Sequence, residues 1–231
     1  MNIKAIHLGI IGALSLASAT AVAQDPVPMN SARIGVYFLS YHSSGSDISG
    51  PMTPPGLNTR LVSNQTLYLA YVRTLSKHFE LELAFGVPPT TKTKGSGPAT
   101  VGSVPYDGVE ISSAKWASPT LLLNYVFFDE TARFRPYIGV GMNHTAFYER
   151  RSTAAGDAVA GGPTRISLTA STGIAGTVGL NYRMKDNWHL YASYSMSHVA
   201  SDLKADTAGL IRTSHISFGP RAFVLSMGYS F

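Results

Sequence analysis

The chain has 231 residues, of which 13% are Asp, Glu, Lys or Arg and 45% are hydrophobic, with 22 glycines, 12 tyrosines and 10 phenylalanines. Charge is about half the usual share, and the 18 basic residues are scattered rather than bunched, so the chain carries no nucleic-acid footprint. With no cysteine there is no disulfide framework, thiol nucleophile or cysteine metal centre, and past residue 30 no run reaches the ~20 apolar residues of a spanning helix.

The first 23 residues read as a secretory signal. Lys4 gives a positive start, residues 6–19 an apolar core, and Ala21-Val22-Ala23 a small-residue cleavage site before Gln24. Residues 24–231 are then expected to form one exported domain. After a proline-broken lead-in, a first strand is expected over residues 32–42, with both faces mixed and its register unclear. Residues 43–58, rich in Ser, Gly and Pro, read as a long loop. A second strand over residues 61–74 ends in a short turn at residues 75–78.

The third strand alternates cleanly: Phe79, Leu81, Leu83, Phe85 and Val87 against Glu80, Glu82, Ala84 and Gly86. Side chains in a strand point to opposite faces in turn, so this is one greasy and one polar face. Residues 88–106 read as a second long loop. The fourth strand sets Pro119, Leu121, Leu123, Tyr125 and Phe127 against Thr120, Leu122, Asn124 and Val126, and residues 129–133 make a short turn.

Residues 134–148, FRPYIGVGMNHTAFY, form the clearest strand. Phe134, Pro136, Ile138, Val140 and Met142 share one uncharged face; Arg135, Tyr137, Gly139, Gly141, Asn143 and Thr145 share the other. A third loop is expected over residues 149–164. The sixth strand then sends Ile166, Leu168, Ala170, Ile174, Val178, Leu180 and Tyr182 outward, and Ser167, Thr169, Ser171, Gly173, Ala175, Thr177, Gly179, Asn181 and Arg183 inward. After a turn at residues 185–187, Trp188, Leu190, Ala192, Tyr194 and Met196 face away from Ser193, Ser195 and Ser197. A last long loop covers residues 201–212, and the final strand sends Phe223, Leu225, Met227, Tyr229 and Phe231 outward, with Ser226, Gly228 and Ser230 inward.

About eight strands, with short turns alternating with long loops, predict an all-β fold: an eight-stranded antiparallel transmembrane β-barrel. The short turns would be periplasmic and the long loops extracellular, in the outer membrane of a Gram-negative bacterium. A soluble lipocalin-type barrel would bury its greasy face inside, the reverse of this pattern.

The small, polar face is expected to line a narrow wet lumen through Tyr137, Gly139, Gly141, Asn143, Asn124, Ser171, Gly173, Ser195 and Ser226. Glu80, Glu82, Arg135 and Arg183 point inward beside the short turns, and unpaired charges in a narrow barrel are costly. They are expected to pair as a periplasmic plug, which would send a greasy ligand out sideways through the wall. Trp116, on the loop side, belongs to the lumen mouth or to the outer girdle. Phe127, Phe128, Phe134, Trp188, Tyr229 and Phe231 read as interfacial girdle residues. The seven histidines show no metal-ligand spacing. His215-x-Ser217 resembles the His-x-Ser of a lipid A deacylase family, in which the histidine activates the serine. No acidic partner for it is evident, so no enzymatic activity, metal or cofactor is expected.

Phe134-Arg135-Pro136-Tyr137-Ile138-Gly139-Val140-Gly141-Met142-Asn143 resembles the FRPYxGxGxN signature of the OmpW family of outer-membrane proteins. Asn64-Gln65-Thr66, Glu82 in a leucine-rich strand before a proline, Pro119-Thr120-Leu121 and the terminal Gly228-Tyr229-Ser230-Phe231 agree with that family in order. The resemblance implies a barrel that passes small hydrophobic molecules across the outer membrane. The alternative is a non-transporting barrel that anchors loops for host, phage or lipid contact. Expected partners are the bilayer and its lipopolysaccharide, a small hydrophobic ligand, and the barrel assembly machinery through Phe231. Two positions depart from the family pattern: Thr172 stands where Ser-Trp-Gly is common, and Arg221 where Pro-Trp is common.

Overall fold

A computed structural model describes residues 29–101 and 104–231; the expected signal at residues 1–23 lies outside the described residues. Eight strands form a ring: β1 (Asn30–Gly45), β2 (Asn64–Thr74), β3 (Phe79–Gly86), β4 (Thr120–Val126), β5 (Phe134–Ser152), β6 (Ser171–Arg183), β7 (Trp188–Ser197) and β8 (Leu210–Ser230). Each pairs antiparallel with the next. The ring closes where β8 pairs with β1, from Ser31↔Ser230 to Gly45↔Ile216. Closure pairs both edges of every strand, which a sheet in hydrocarbon requires because lipid offers its N–H and C=O groups no partner.

The period-two pattern sets the outer surface. Val140 is 70% exposed and Ile174 76%, and Ile34, Leu121, Leu123, Met142, Val178, Leu225 and Met227 join them in an uncharged band facing lipid. Trp188 and Tyr229 pack against each other at a tilt across the β7–β8 pair, with ring centroids 5.1 Å apart. Among the described residues no helix is long and apolar enough to cross a membrane. The helix α1 (Ala154–Ala160) lies in a loop, capped by the Thr153 hydroxyl, which accepts from the Gly156 N–H at 2.9 Å.

The long loops are folded rather than irregular. Strands at Asn58–Leu61, Thr90–Ser96 and Glu110–Ala117 build a second sheet on the upper part of β5. Strands at Thr164–Leu168 and Val199–Thr207 extend the upper part of β8. β5 and β8 therefore run 19 and 21 residues. At ~3.4 Å per residue that is roughly 65–70 Å of strand against an apolar band ~25 Å tall. Much of the barrel stands above the membrane.

This corrects one expected strand. Residues 166–183 are not continuous: the Thr169 carbonyl accepts from the Ser201 hydroxyl at 2.8 Å, and its own hydroxyl accepts from the Asp202 N–H at 2.9 Å. That break resets the alternation, so Ile166 and Leu168, expected to face lipid, line an interior cavity at the extracellular end.

The lumen is also less wet than expected. Leu39, Tyr68, Ala70, Ala84, Ala222 and Val224 cluster inside it at mid-height, with Tyr37, Tyr41 and Trp116 packed against them. This explains the blurred first strand. β1 sends Ile34, Val36 and Phe38 outward but also carries Tyr37 and Leu39 on its inward face.

Candidate functional site

The interior has three levels, and the lowest holds a cluster of charged side chains. Arg33, on the inward face of β1, donates from Nη1 to Glu82 and from Nη2 to Glu80, both at 3.1 Å. Glu82 also accepts from the Tyr68 hydroxyl at 2.7 Å and from the Asn124 side-chain amide at 2.7 Å. The guanidinium carbon of Arg33 lies 3.8 Å from the centre of the Tyr191 ring, which with Tyr137 and Val126 forms a small buried cluster. Arg33 is 3% exposed, Glu82 5% and Asn124 0%. Two carboxylates, one guanidinium and their hydrogen-bond partners thus fill the barrel near its termini.

The strand pattern does not single out Arg33, and Arg135 and Arg183, which it does, are not its equals. Neither reaches a carboxylate. Arg135 donates to the Lys77 and Phe128 carbonyls at 2.8 and 3.5 Å, and Arg183 to the Glu130 and Thr131 carbonyls at 2.8 and 2.6 Å. Both arginines bend toward the periplasmic turns and satisfy carbonyls that the strand ladder leaves open. Glu80 and Glu82 instead point across the lumen to β1. The expected four-residue plug is therefore a three-residue ion cluster beside two arginine-capped turns.

Above this floor lies a chamber of about 80 Å³. Of the nine residues expected along the lumen, Asn143 and Ser195 line it. Asn143 is tied to Thr120, Thr145 and Ser118, and Ser195 donates to Thr177 at 2.9 Å. Tyr137 and Asn124 lie lower, within the floor. The space beside Gly139 is taken by the Asn124 side chain and that beside Gly141 by the Leu121 carbonyl. Ser171 and Gly173 pack against the 198–200 segment, where the Ser171 hydroxyl accepts from the Ala200 N–H at 3.0 Å. Ser226 is buried on β8.

The top level is an apolar vestibule of about 450 Å³, walled by the folded loops and by the upper parts of β5 and β8. Leu57, Ile111, Phe147, Ile166, Leu168, Leu203 and Phe218 contribute its greasy surface. Tyr106 also lines it, buried, and its hydroxyl has no hydrogen-bond partner among the described residues. Burial pushes the ionisation of that hydroxyl up to about 12, so it stays a donor across the physiological range.

Trp116 stands where vestibule and chamber meet and lines both. Its indole N–H donates to the Thr91 hydroxyl at 2.9 Å, its ring lies edge-on to Tyr41 at 6.4 Å, and Asn64 donates to Thr91 at 2.8 Å. At this level the wall is thin. The backbone ladder between β2 and the following chain stops at Val87 N–H to Leu67 C=O and resumes at Val62 N–H to Lys92 C=O. Pro88 and Pro89 fall between and have no N–H to offer. Side-chain bonds bridge the gap: Asn64 donates to the Thr91 hydroxyl and Thr66 to the Val87 carbonyl.

The His-x-Ser pair acquires an acidic partner the sequence had not revealed, because Asp202 stands directly opposite His215 on the neighbouring strand, 2.7 Å away. Both side chains are mostly exposed, and among the described residues no hydrogen bond joins His215 to Ser217.

Residues 40–231 match the OmpW family. Outer membrane protein W of Vibrio cholerae is 27% identical over 165 residues, which are 71% of this chain and 72% of that protein. Dibenzothiophene metabolism operon protein PahQ of Pseudomonas aeruginosa is 27% identical over 136 residues, 59% of each chain. The crystal structure of the outer membrane protein OprG from Pseudomonas aeruginosa shares the fold, with a TM-score of 0.76 at 22% identity over 87% of this chain and 95% of OprG. The closed ring of eight strands, the apolar outer band and a match that spans most of the sequence lead to one assignment: this chain belongs to the OmpW family, barrel proteins of the Gram-negative outer membrane.

Proposed function

We propose that the protein is a passive channel or carrier for small hydrophobic molecules, taken up from the outer surface and released sideways through the barrel wall above the charged floor. The observation that carries this reading is the apolar vestibule of about 450 Å³ stacked on a floor blocked by Arg33, Glu80 and Glu82. A cavity of that size with apolar walls suits a small greasy guest. The desolvated ion cluster below bars the straight path, and the interrupted ladder at residues 63–66 and 88–91 offers a lateral one beside Trp116. The name of the PahQ relative, which refers to metabolism of an apolar aromatic compound, accords with this. In the same reading residues 1–23 are the removed export signal, lipopolysaccharide surrounds the barrel's upper half, and Phe231 is the terminus the assembly machinery reads.

Two measurements on the full-length protein test the proposal. In planar bilayers the protein is expected to pass little steady current with potassium chloride. Cells carrying it are expected to take up N-phenyl-1-naphthylamine several-fold faster than cells without it. A large, steady conductance would rule out the closed floor; dye entry unchanged by the protein would rule out uptake.

A further inference from the structure

Among the described residues, Arg212 is the one charged residue lining the vestibule. It sits on the upper part of β8, on the same inward face as Leu210, Ile216 and Phe218. Its Nε donates to the Thr53 hydroxyl at 3.2 Å, Nη1 to the Thr207 hydroxyl at 3.3 Å and Nη2 to the Ala160 carbonyl at 3.3 Å. All three acceptors are neutral and all three bonds are long. A guanidinium has five N–H donors, so two have no acceptor here. Among the described residues no carboxylate pairs with it. Asp157 accepts from the Thr164 N–H and Asp206 from the Gly209 N–H, and neither accepts from Arg212.

Arg212 is half-buried at the edge of an apolar cavity with two N–H donors to spare, and a carboxylate is the group whose planar geometry and charge fit them. We propose that the vestibule selects amphipathic anions, small apolar bodies carrying one carboxylate, with Arg212 holding the carboxylate and the apolar walls holding the body. This rests on the uptake reading above and narrows its substrate class. A neutral guest of the same shape gains the walls but not the charge-assisted hydrogen bonds, so the acid is expected to bind about tenfold tighter or more.

Trp116 supplies the readout, since the chain has two tryptophans and the other, Trp188, lies on the outer face. Trp188→Phe protein in phosphatidylcholine nanodiscs is titrated with 4-bromobenzoate and with 4-bromobenzyl alcohol, whose bromine quenches an indole on contact. Half-quenching is expected at about tenfold lower concentration for the acid, and Arg212→Gln is expected to bring the acid to the alcohol's value while leaving the alcohol unchanged. Equal half-quenching in the protein that keeps Arg212, or an acid preference that survives Arg212→Gln, would overturn the proposal and leave the uptake reading standing. No quenching by either compound, against empty nanodiscs, would overturn both.

Discussion

Arg33→Ala is expected to lower the stability of the barrel by about 3–5 kcal/mol, read from urea unfolding in lipid vesicles, and to raise its ionic conductance. The magnitude follows from what is left behind: Glu82, 5% exposed, and Glu80 beside it lose the one cationic partner they have among the described residues while staying inside the wall. Tyr68 and Asn124 still donate to Glu82, but neutral donors do not replace a guanidinium. Glu82→Gln should cost less, about 1–3 kcal/mol, because Arg33 keeps Glu80 and the amide oxygen can still accept. The triple change Arg33→Met, Glu80→Gln and Glu82→Gln is expected to recover most of the loss, since no buried charge remains unpaired. A cost below about 1 kcal/mol for Arg33→Ala would mean that water reaches the cluster, and the floor would then be no barrier to ions.

The ring and its lipid face were legible because each strand residue answers one question, in or out, and lipid allows only one kind of answer outside. The parts of β5, β7 and β8 at membrane level alternate for that reason, and short turns against long loops set which end is which. Strand parity also placed Glu80 and Glu82 inside and near the periplasmic end. It could not name the residue facing them across the lumen. Arg33 sits on β1, where the inward Tyr37 and Leu39 hide the alternation, although Arg33 shares parity with Gly35 and opposes Ile34, Val36 and Phe38. Arg135 and Arg183 were equally well placed by parity, but turn carbonyls compete for them and leave no trace in a residue list.

The vestibule was harder still to foresee. Its walls come from loop strands with one face to solvent and one to a cavity, so the hydrophobic pattern weakens. The two-residue break at Thr169-Ala170 then inverts the parity of Ile166 and Leu168. No single-strand reading carries such a reset. Arg212 was invisible for the same reason, being counted within a loop that is in fact the start of β8.

Three glycine-to-alanine changes are expected to separate glycines that open the lumen from glycines that let the wall close. A methyl at Gly141 would stand 1.8 Å from the Leu121 carbonyl oxygen and 2.8 Å from the Leu122 Cα, both backbone atoms of the paired strand β4. No rotamer change relieves that clash, so β4 must move and its ladder with β5 must break. Gly141→Ala is therefore expected to cost about 3 kcal/mol or more, beyond the usual overpacking range, or to prevent folding. At Gly139 the obstacle is the Asn124 side chain, 1.9 Å away, which can swing but would then release Glu82. Gly139→Ala is expected to cost about 1–3 kcal/mol and to leak ions as a weakened floor would. Gly176, on the neighbouring strand, has no atom nearer than 3.8 Å to its added methyl, so Gly176→Ala should stay within about 0.5 kcal/mol of the parent. Urea midpoints in one vesicle composition order the three. If Gly141→Ala unfolds with Gly176→Ala, the close approach of β4 and β5 is soft and the glycine is there to widen the lumen. If the order holds, Gly139 and Gly141 serve the packing of the wall and the seating of Asn124 on Glu82, and the space for a guest is the vestibule above them.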